Sequence, residues 1–365
     1  MFKFQKKSGL IKKSRGFSLV EIMVGMIIGL LGTLVMLQVY STSEARKKAT
    51  TSGGDAQTNG SIGLFNLQRE LQLAGYGASS PKLMGCNVML LTGVPINNIA
   101  PITINHADIP AGDANTDTLL VVYGNANGAA EGDTITGNNP ATPTLYTVQS
   151  LNSFQVGDNV IAQAQNRAAS CNLTLDKVTT IDSATSEVTV LNGAGGMNQG
   201  TLFNLGPSPR IRAYAIRNSN LTVCDFMTND CRDASKLSNT NVWVPLVNNI
   251  VSMRAQYGRD TNVAGSMDGI VDIFDQTVAS TTTSPAVSSV QCGWLRVSAI
   301  RLAIVARSAQ IETTNITSIA PTWQGSANVP INLTARSDWQ KYRYKKFETQ
   351  VPIKNISWQE TVSGC

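Results

Sequence analysis

Four groups of residues in this sequence have types and spacings that could do chemistry. The first is a single carboxylate, Glu21, in the run SRGFSLVEIMVGM, where Phe, Leu, Val, Ile and Met surround it. An acid inside an apolar segment is costly unless it is paired, so its presence points to a charged partner. The second is Cys224 and Cys231, which flank the turn formers DFMTND and are placed for a local disulfide. The third is Asp260-Thr-Asn262 followed by Asp268-Gly-Ile-Val-Asp272, where alternating oxygen donors and a glycine suit a hard cation such as calcium. The fourth is Lys341, Arg343, Lys345 and Lys346 with Tyr342 and Tyr344, a basic aromatic run of the kind that can touch nucleic acid.

Each has a plainer competitor. Either cysteine could pair elsewhere, and the other four (Cys86, Cys171, Cys292, Cys365) allow three pairings between which sequence cannot choose. An Asp/Asn/Gly-rich stretch is also an ordinary strand connection. On a strand the basic run divides between two faces, so nucleic-acid contact is the weaker reading. His106 is the only histidine, and no GxSxG is present, so catalysis by an organised base or nucleophile has no support. Gly193-Ala-Gly195-Gly196 follows an apparent strand but opens no helix, so it reads as a turn rather than a phosphate cradle.

The elements that must position these residues fall into three stretches. Residues 1–16 hold Lys3, Lys6, Lys7, Lys12, Lys13 and Arg15 and no acid; the net charge of +5 is a property of this leader, since the remainder balances 23 basic against 24 acidic residues. From Phe17 to Tyr40 run 24 residues with one charge, which as a helix would cover ~36 Å, enough to cross a bilayer core. The leader's cations would stay cytoplasmic and the rest of the chain would lie outside. The six cysteines all follow this segment, which fits an oxidising compartment. Residues 41–77 carry helical signals, among them Leu64, Leu67, Leu71 and Leu73, with Gly75 and Gly77 as stops. TTSGGDAQTNG between them is poor in helix formers, so we expect one helix bent or loosened near Gly53-Gly54, or else two helices.

Beyond residue 77 the pattern is β. Short runs at 118–124, 144–150, 158–164, 187–192 and 201–206 are separated by turn pairs, giving a β-rich subdomain at 78–208. From 209 to 365 the strands lengthen: RIRAYAIRNSNLTVCDF reads as a hairpin turning at Asn218-Ser219-Asn220. WVPLVNNIVSMRAQYG reads as a short helical stretch and then a strand, and WLRVSAIRLAIVARS and YKKFETQVPIKNI alternate as half-buried strands.

Gly16-Phe17-Ser18-Leu19-Val20-Glu21, with a basic leader before it and a long apolar run after, resembles the class III signal of type IV prepilins and type II secretion pseudopilins. The resemblance implies cleavage by prepilin peptidase between Gly16 and Phe17, N-methylation of Phe17, and a role for Glu21 in assembly. FNLQRELQLAGYG, LVNNIVSMRAQYG, VSAIRLAIVARS and YRYKKFETQVPIKNI further resemble the PilW family of type IV pilus minor pilins. That implies an α+β, pilin-like fold: a long transmembrane and assembly helix packed on an antiparallel β-sheet, with a β-rich insertion. It implies a non-enzymatic protein of the inner membrane, its C-terminal domain periplasmic, that passes into the pilus. The implied partners are other minor pilins, the major pilin, prepilin peptidase and the inner-membrane assembly platform. A type II secretion minor pseudopilin, or an adhesive or DNA-binding tip protein, is the alternative. PilW-like proteins often carry a compact DxDxDGxxD calcium loop; here Val-Ala-Gly-Ser-Met separates Asn262 from Asp268, and no bidentate Glu follows.

Overall fold

The computed structural model describes residues 16–125, 131–262, 267–278 and 289–356. The basic leader through Arg15, the Cys365 terminus and residues 263–266 of the acidic loop lie outside them. The chain divides into two compact units, Met1–Ser52 and Gly53–Cys365. Helix α1, Leu19–Leu73, contributes to both. Its residues are helical throughout, Gly53-Gly54 included, so the two-helix alternative does not occur. A methyl group on either glycine would meet nothing within 4 Å, so nothing nearby forces their small size. Their cost of about 1 kcal/mol each relative to Ala is offset by the packing that begins at Ala56.

In the first unit every described side chain from Gly16 to Glu44 is exposed. In the second unit α1 becomes one-sided. Ala56, Leu67 and Leu71 are buried together with Ile250, Met253, Leu302 and Ile304 in the main core. A methyl on Gly60 would overlap the Phe347 ring, and one on Gly63 would stand 3.1 Å from Ile304 Cδ1. Small residues on this face thus let the helix approach the strands below it. Gly75 (φ 80°) and Gly77 (φ 65°) end the helix in the left-handed conformation that glycine adopts without penalty.

Three sheets follow. A four-stranded antiparallel sheet runs Ile273–Asp275, Ile250–Arg259, Val297–Arg307, Tyr344–Pro352, and α1 lies on it. A five-stranded antiparallel sheet runs Val244–Asn248, Asn220–Asp225, Arg210–Arg217, Leu119–Tyr123, Ile102–Ile104. It draws strands from both sides of residue 208. Asn218 (φ 50°) and Ser219 (φ 63°) form the hairpin turn at its centre, with the positive φ pair that matches strand twist. The short helix expected near 243–249 is instead the strand Val244–Asn248, and Asn249 (φ 60°) redirects the chain into Ile250–Arg259. Pro245 and the β-branched valines disfavour a helix there.

The third sheet carries a closed ring that the sequence pattern does not reveal. Asn172–Asp182, Asn159–Gln163, Thr201–Gly206, Asp133–Gly137, Leu145–Val148 and Glu187–Val190 pair antiparallel in that order, and the last returns to the first. The long strand Asn172–Asp182 serves both partners by shifting register between Val178 and Thr180. Val148, Val160, Val178, Val188 and Leu202 fill the interior of this small barrel. Outside the ring, Cys86–Cys171 ties the strand Asn87–Met89 to its parallel neighbour, across a separation of 85 residues. A loop of that length corresponds to ~4–5 kcal/mol in the chain-entropy account.

Gly60→Val forces the Phe347 ring aside and is expected to lower stability by about 2 kcal/mol. Gly53→Ala, in open space, is expected to raise it by up to ~1 kcal/mol. Thermal unfolding of the two variants checks the pair; equal effects would contradict the close helix–sheet approach.

Candidate functional site

The residues singled out at the N-terminus meet at the start of α1. Ser18 stands at the N-cap, with its carbonyl accepting from the amides of Glu21 (2.9 Å) and Ile22 (3.2 Å). Glu21, three residues on, reaches back so that its Oε2 accepts from the Ser18 amide at 3.4 Å. The reach of the Glu21 side chain back to the Ser18 amide is one of the two bonds of a capping box. It also puts a negative charge in the first helical turn, where the helix dipole favours it. Phe17 (80% exposed) and Gly16 lie immediately before the cap. From Ile22 to Tyr40 the helix surface is uncharged and largely apolar on every side. Its most apolar window has a mean hydropathy of 2.3 and none of it is buried within the chain. Such a helix is long and apolar enough to cross a membrane.

A second constellation, which sequence reasoning missed, lies between the C-terminal part of α1 and the five-stranded sheet. Glu70 projects from α1 toward Arg212, whose Nη1 donates to its Oε1 at 3.1 Å. Tyr123 donates its hydroxyl to the other Glu70 oxygen at 3.0 Å. Arg212 also donates through Nε to Asp225 at 3.4 Å, and Arg210 approaches the same carboxylate at 3.5 Å. Burial, then the adjacent Glu70 carboxylate, pushes the Tyr123 phenol up to about 12. Burial pushes Tyr214, beside Glu70 and Arg212, higher still. The network borders an open cavity of about 400 Å³ that Asn66, Arg69, Asn241 and Leu246 also line. Its members stand up to 155 residues apart in the chain, so no local motif marks them.

In the acidic loop the described candidate residues Asp260, Asn262, Asp268 and Asp272 have separate partners. Asp260 is buried, and its carboxylate accepts from the amides of Asn262 (3.0 Å), Asp268 (2.8 Å) and Gly269 (2.9 Å). The Arg296 guanidinium stands 3.7 Å away, with both side chains 2% exposed. Asp272 accepts from the Thr261 amide and hydroxyl, and Asp268 from the Ile270 amide. Among the described residues no three acidic, histidine or cysteine side chains converge on a common point. The described carboxylates expected for a cation are engaged by the loop's own backbone and, at Asp260, by an arginine.

Cys224 and Cys231 form a disulfide, with Cα atoms 5.9 Å apart. The basic run divides among partners: Lys345 donates to Gln57, Lys346 to Glu348, and Arg343 to Glu312. His106 is buried, its Nε2 2.6 Å from the Asn97 carbonyl, and acts as a packing residue.

Residues 213–355 match the family model of the type IV pilus-assembly protein W. Residues 11–37 match the prokaryotic N-terminal methylation motif. Among solved structures the chain is similar to a type IV-like pilin from Thermus thermophilus, at 14% identity over 56% of this chain and 86% of that one. The TM-score is 0.19, a likeness too slight to bear on the fold. No curated protein matches the chain.

Asp260→Ala leaves Arg296 facing a buried void and is expected to cost about 3 kcal/mol. EDTA or added calcium should leave the wild-type melting temperature unchanged; a calcium-dependent rise would contradict the backbone-bound reading. The Tyr123 phenol is favoured neutral in the fold, so its contribution is complete below its ordinary value of 10.0 and fades as pH rises through about 12. Alkaline titration of stability should therefore fall in that window, and Tyr123→Phe should flatten the fall.

Proposed function

We propose that this chain, whose C-terminal half carries the PilW-family domain and whose N-terminus carries the prepilin methylation motif, is a minor pilin. It is anchored first in the inner membrane, its β-rich unit in the periplasm, and is then built into a type IV pilus. Prepilin peptidase would cut between Gly16 and Phe17 and methylate the new terminus. The reading places the protein with other minor pilins in a priming or tip complex above the major pilin, and makes its role structural rather than enzymatic.

The observation that carries this reading is the surface of α1 between Phe17 and Tyr40: largely apolar on all sides, exposed throughout, and interrupted by one acid at the third helical position. A helix of that kind has no use in a water-soluble domain. Cleavage would remove six leader cations and leave one positive amine on Phe17, one residue before the capped amide. A cation at a helix N-terminus is opposed by the dipole, and Glu21 lies within reach to neutralise it. In lipid the pair would be internal. In a filament the same carboxylate can instead meet the amine of an adjacent subunit, which fixes axial register while both charges stay paired. The exposed apolar surface around it supplies non-directional packing against neighbouring helices.

Intact-mass analysis of membrane-extracted protein should report a chain that begins at a methylated Phe17; one that begins at Met1 or at another residue would overturn the proposal. Glu21→Gln preserves the capping acceptor but removes the charge. It is expected to insert in the membrane normally while its incorporation into sheared pili falls about tenfold, the loss that ~1.4 kcal/mol of pairing produces. Unaltered incorporation would show that the charge has no part in assembly.

A further inference from the structure

The cavity beside Glu70 is polar but balanced in charge. Arg69 and Arg212 line it together with Glu70 and Asp225, so neither an anion nor a cation is favoured there. Arg212 and the two acids hold one another in place. Arg212 donates Nη1 to Glu70 and Nε to Asp225, and Asp225 also accepts from the Met227 amide at 3.0 Å. Each carboxylate keeps acceptor capacity beyond these bonds, on a wall whose geometry is already fixed.

Other polar groups in the cavity are unspent. Asn66, on α1, and Asn241, just before the edge strand Val244–Asn248, make no side-chain hydrogen bond among the described residues. Asn229 gives one N–H to the Thr228 hydroxyl and keeps its carbonyl oxygen. A primary amide donates and accepts at once, and so matches a hydroxyl group, which does the same. Val223, Val244 and Leu246 add an apolar strip, and the last two are exposed. Tyr214 is the one aromatic residue among the described lining residues, and at 1% exposure it offers no ring face on which a nucleobase could stack.

A ligand that combines several hydroxyls, no charge and apolar C–H faces is a pyranose sugar. The volume of about 400 Å³ lies in the range of small-ligand sites. From these features we infer that the cavity binds a neutral saccharide unit. Asn66 and Asn241 bond its hydroxyls from two sides, the fixed carboxylates accept from further hydroxyls, and Val244 and Leu246 lie against its C–H face. The site goes beyond the proposed function and does not rest on it, because all of these residues belong to the second compact unit.

The test uses the full chain in lipid nanodiscs, which avoid sugar-headed detergents, and saturation-transfer NMR. The probes are glucose, galactose, N-acetylglucosamine and its trimer, with glucuronate and glucosamine as charged counterparts. Ring C–H protons of at least one neutral probe should be saturated, and the charged counterparts should bind more weakly. Asn66→Ala and Asn241→Ala should each weaken the neutral sugar about fivefold, with the melting temperature unchanged, since neither amide holds the fold together. Asn241 is exposed and lies off the helix, so it tests the site even if a change on α1 disturbs packing. Saturation of no probe, charged sugars bound as well as neutral ones, or a loss at neither asparagine would overturn the inference. Where a neutral sugar binds, retention of the chain on purified peptidoglycan sacculi or on an array of neutral surface glycans assigns the source of that sugar.

Discussion

The structure turns on the need to keep one helical surface out of water. The large apolar side chains of α1 from Phe17 to Tyr40 all face outward. Burying each would contribute ~1.5–3 kcal/mol. Their sum exceeds the ~5–15 kcal/mol that holds an ordinary domain together. No rearrangement of the β-rich unit could compensate for leaving them wet, so the surface must be covered by lipid or by other chains. Glu21 is the one group that conflicts with such a covering, and its place in the first turn, beside the amide it caps, is where a negative charge is least costly.

The same helix changes character past Gly53. In the second unit it buries one face through Ala56, Gly60, Gly63, Leu67 and Leu71, and leaves the other face polar or partly apolar. The β-rich unit is thereby built around a helix that also has an outward face. The sheets are held by distinct means: a core under α1, a closed ring with its own interior, and the disulfides Cys86–Cys171 and Cys224–Cys231 at positions where strands or turns would otherwise splay. Cys292 is oxidised to a disulfide as well, so every described cysteine is paired.

Much of this was legible in the residues. The helix followed from an uninterrupted apolar run, and the hairpin from two β-rich runs about Asn218-Ser219, because both are local patterns. What stayed hidden depended on long-range closure. The barrel forms because Asn172–Asp182 pairs on both sides with a mid-strand register shift, and no local pattern encodes that. Glu70, Tyr123 and Arg212 meet only once the helix has been laid across the sheet. Asp260 shows the same limit: its neighbourhood has the composition of a cation loop, and composition did not reveal that its carboxylate accepts backbone amides beside Arg296, 36 residues away. Near Val244 a helical reading gave way to a strand because Pro245 and Asn249 set backbone angles that a helix cannot continue through.

The most direct measurement is of what touches the first half of α1. Spin labels placed singly along residues 25–37 of the full-length protein in bilayers can be relaxed by oxygen, which concentrates in lipid, or by a water-soluble nickel chelate. The account predicts that oxygen is the stronger relaxer at every position, on all sides of the helix. A face, or a whole segment, relaxed chiefly by the aqueous chelate would contradict it.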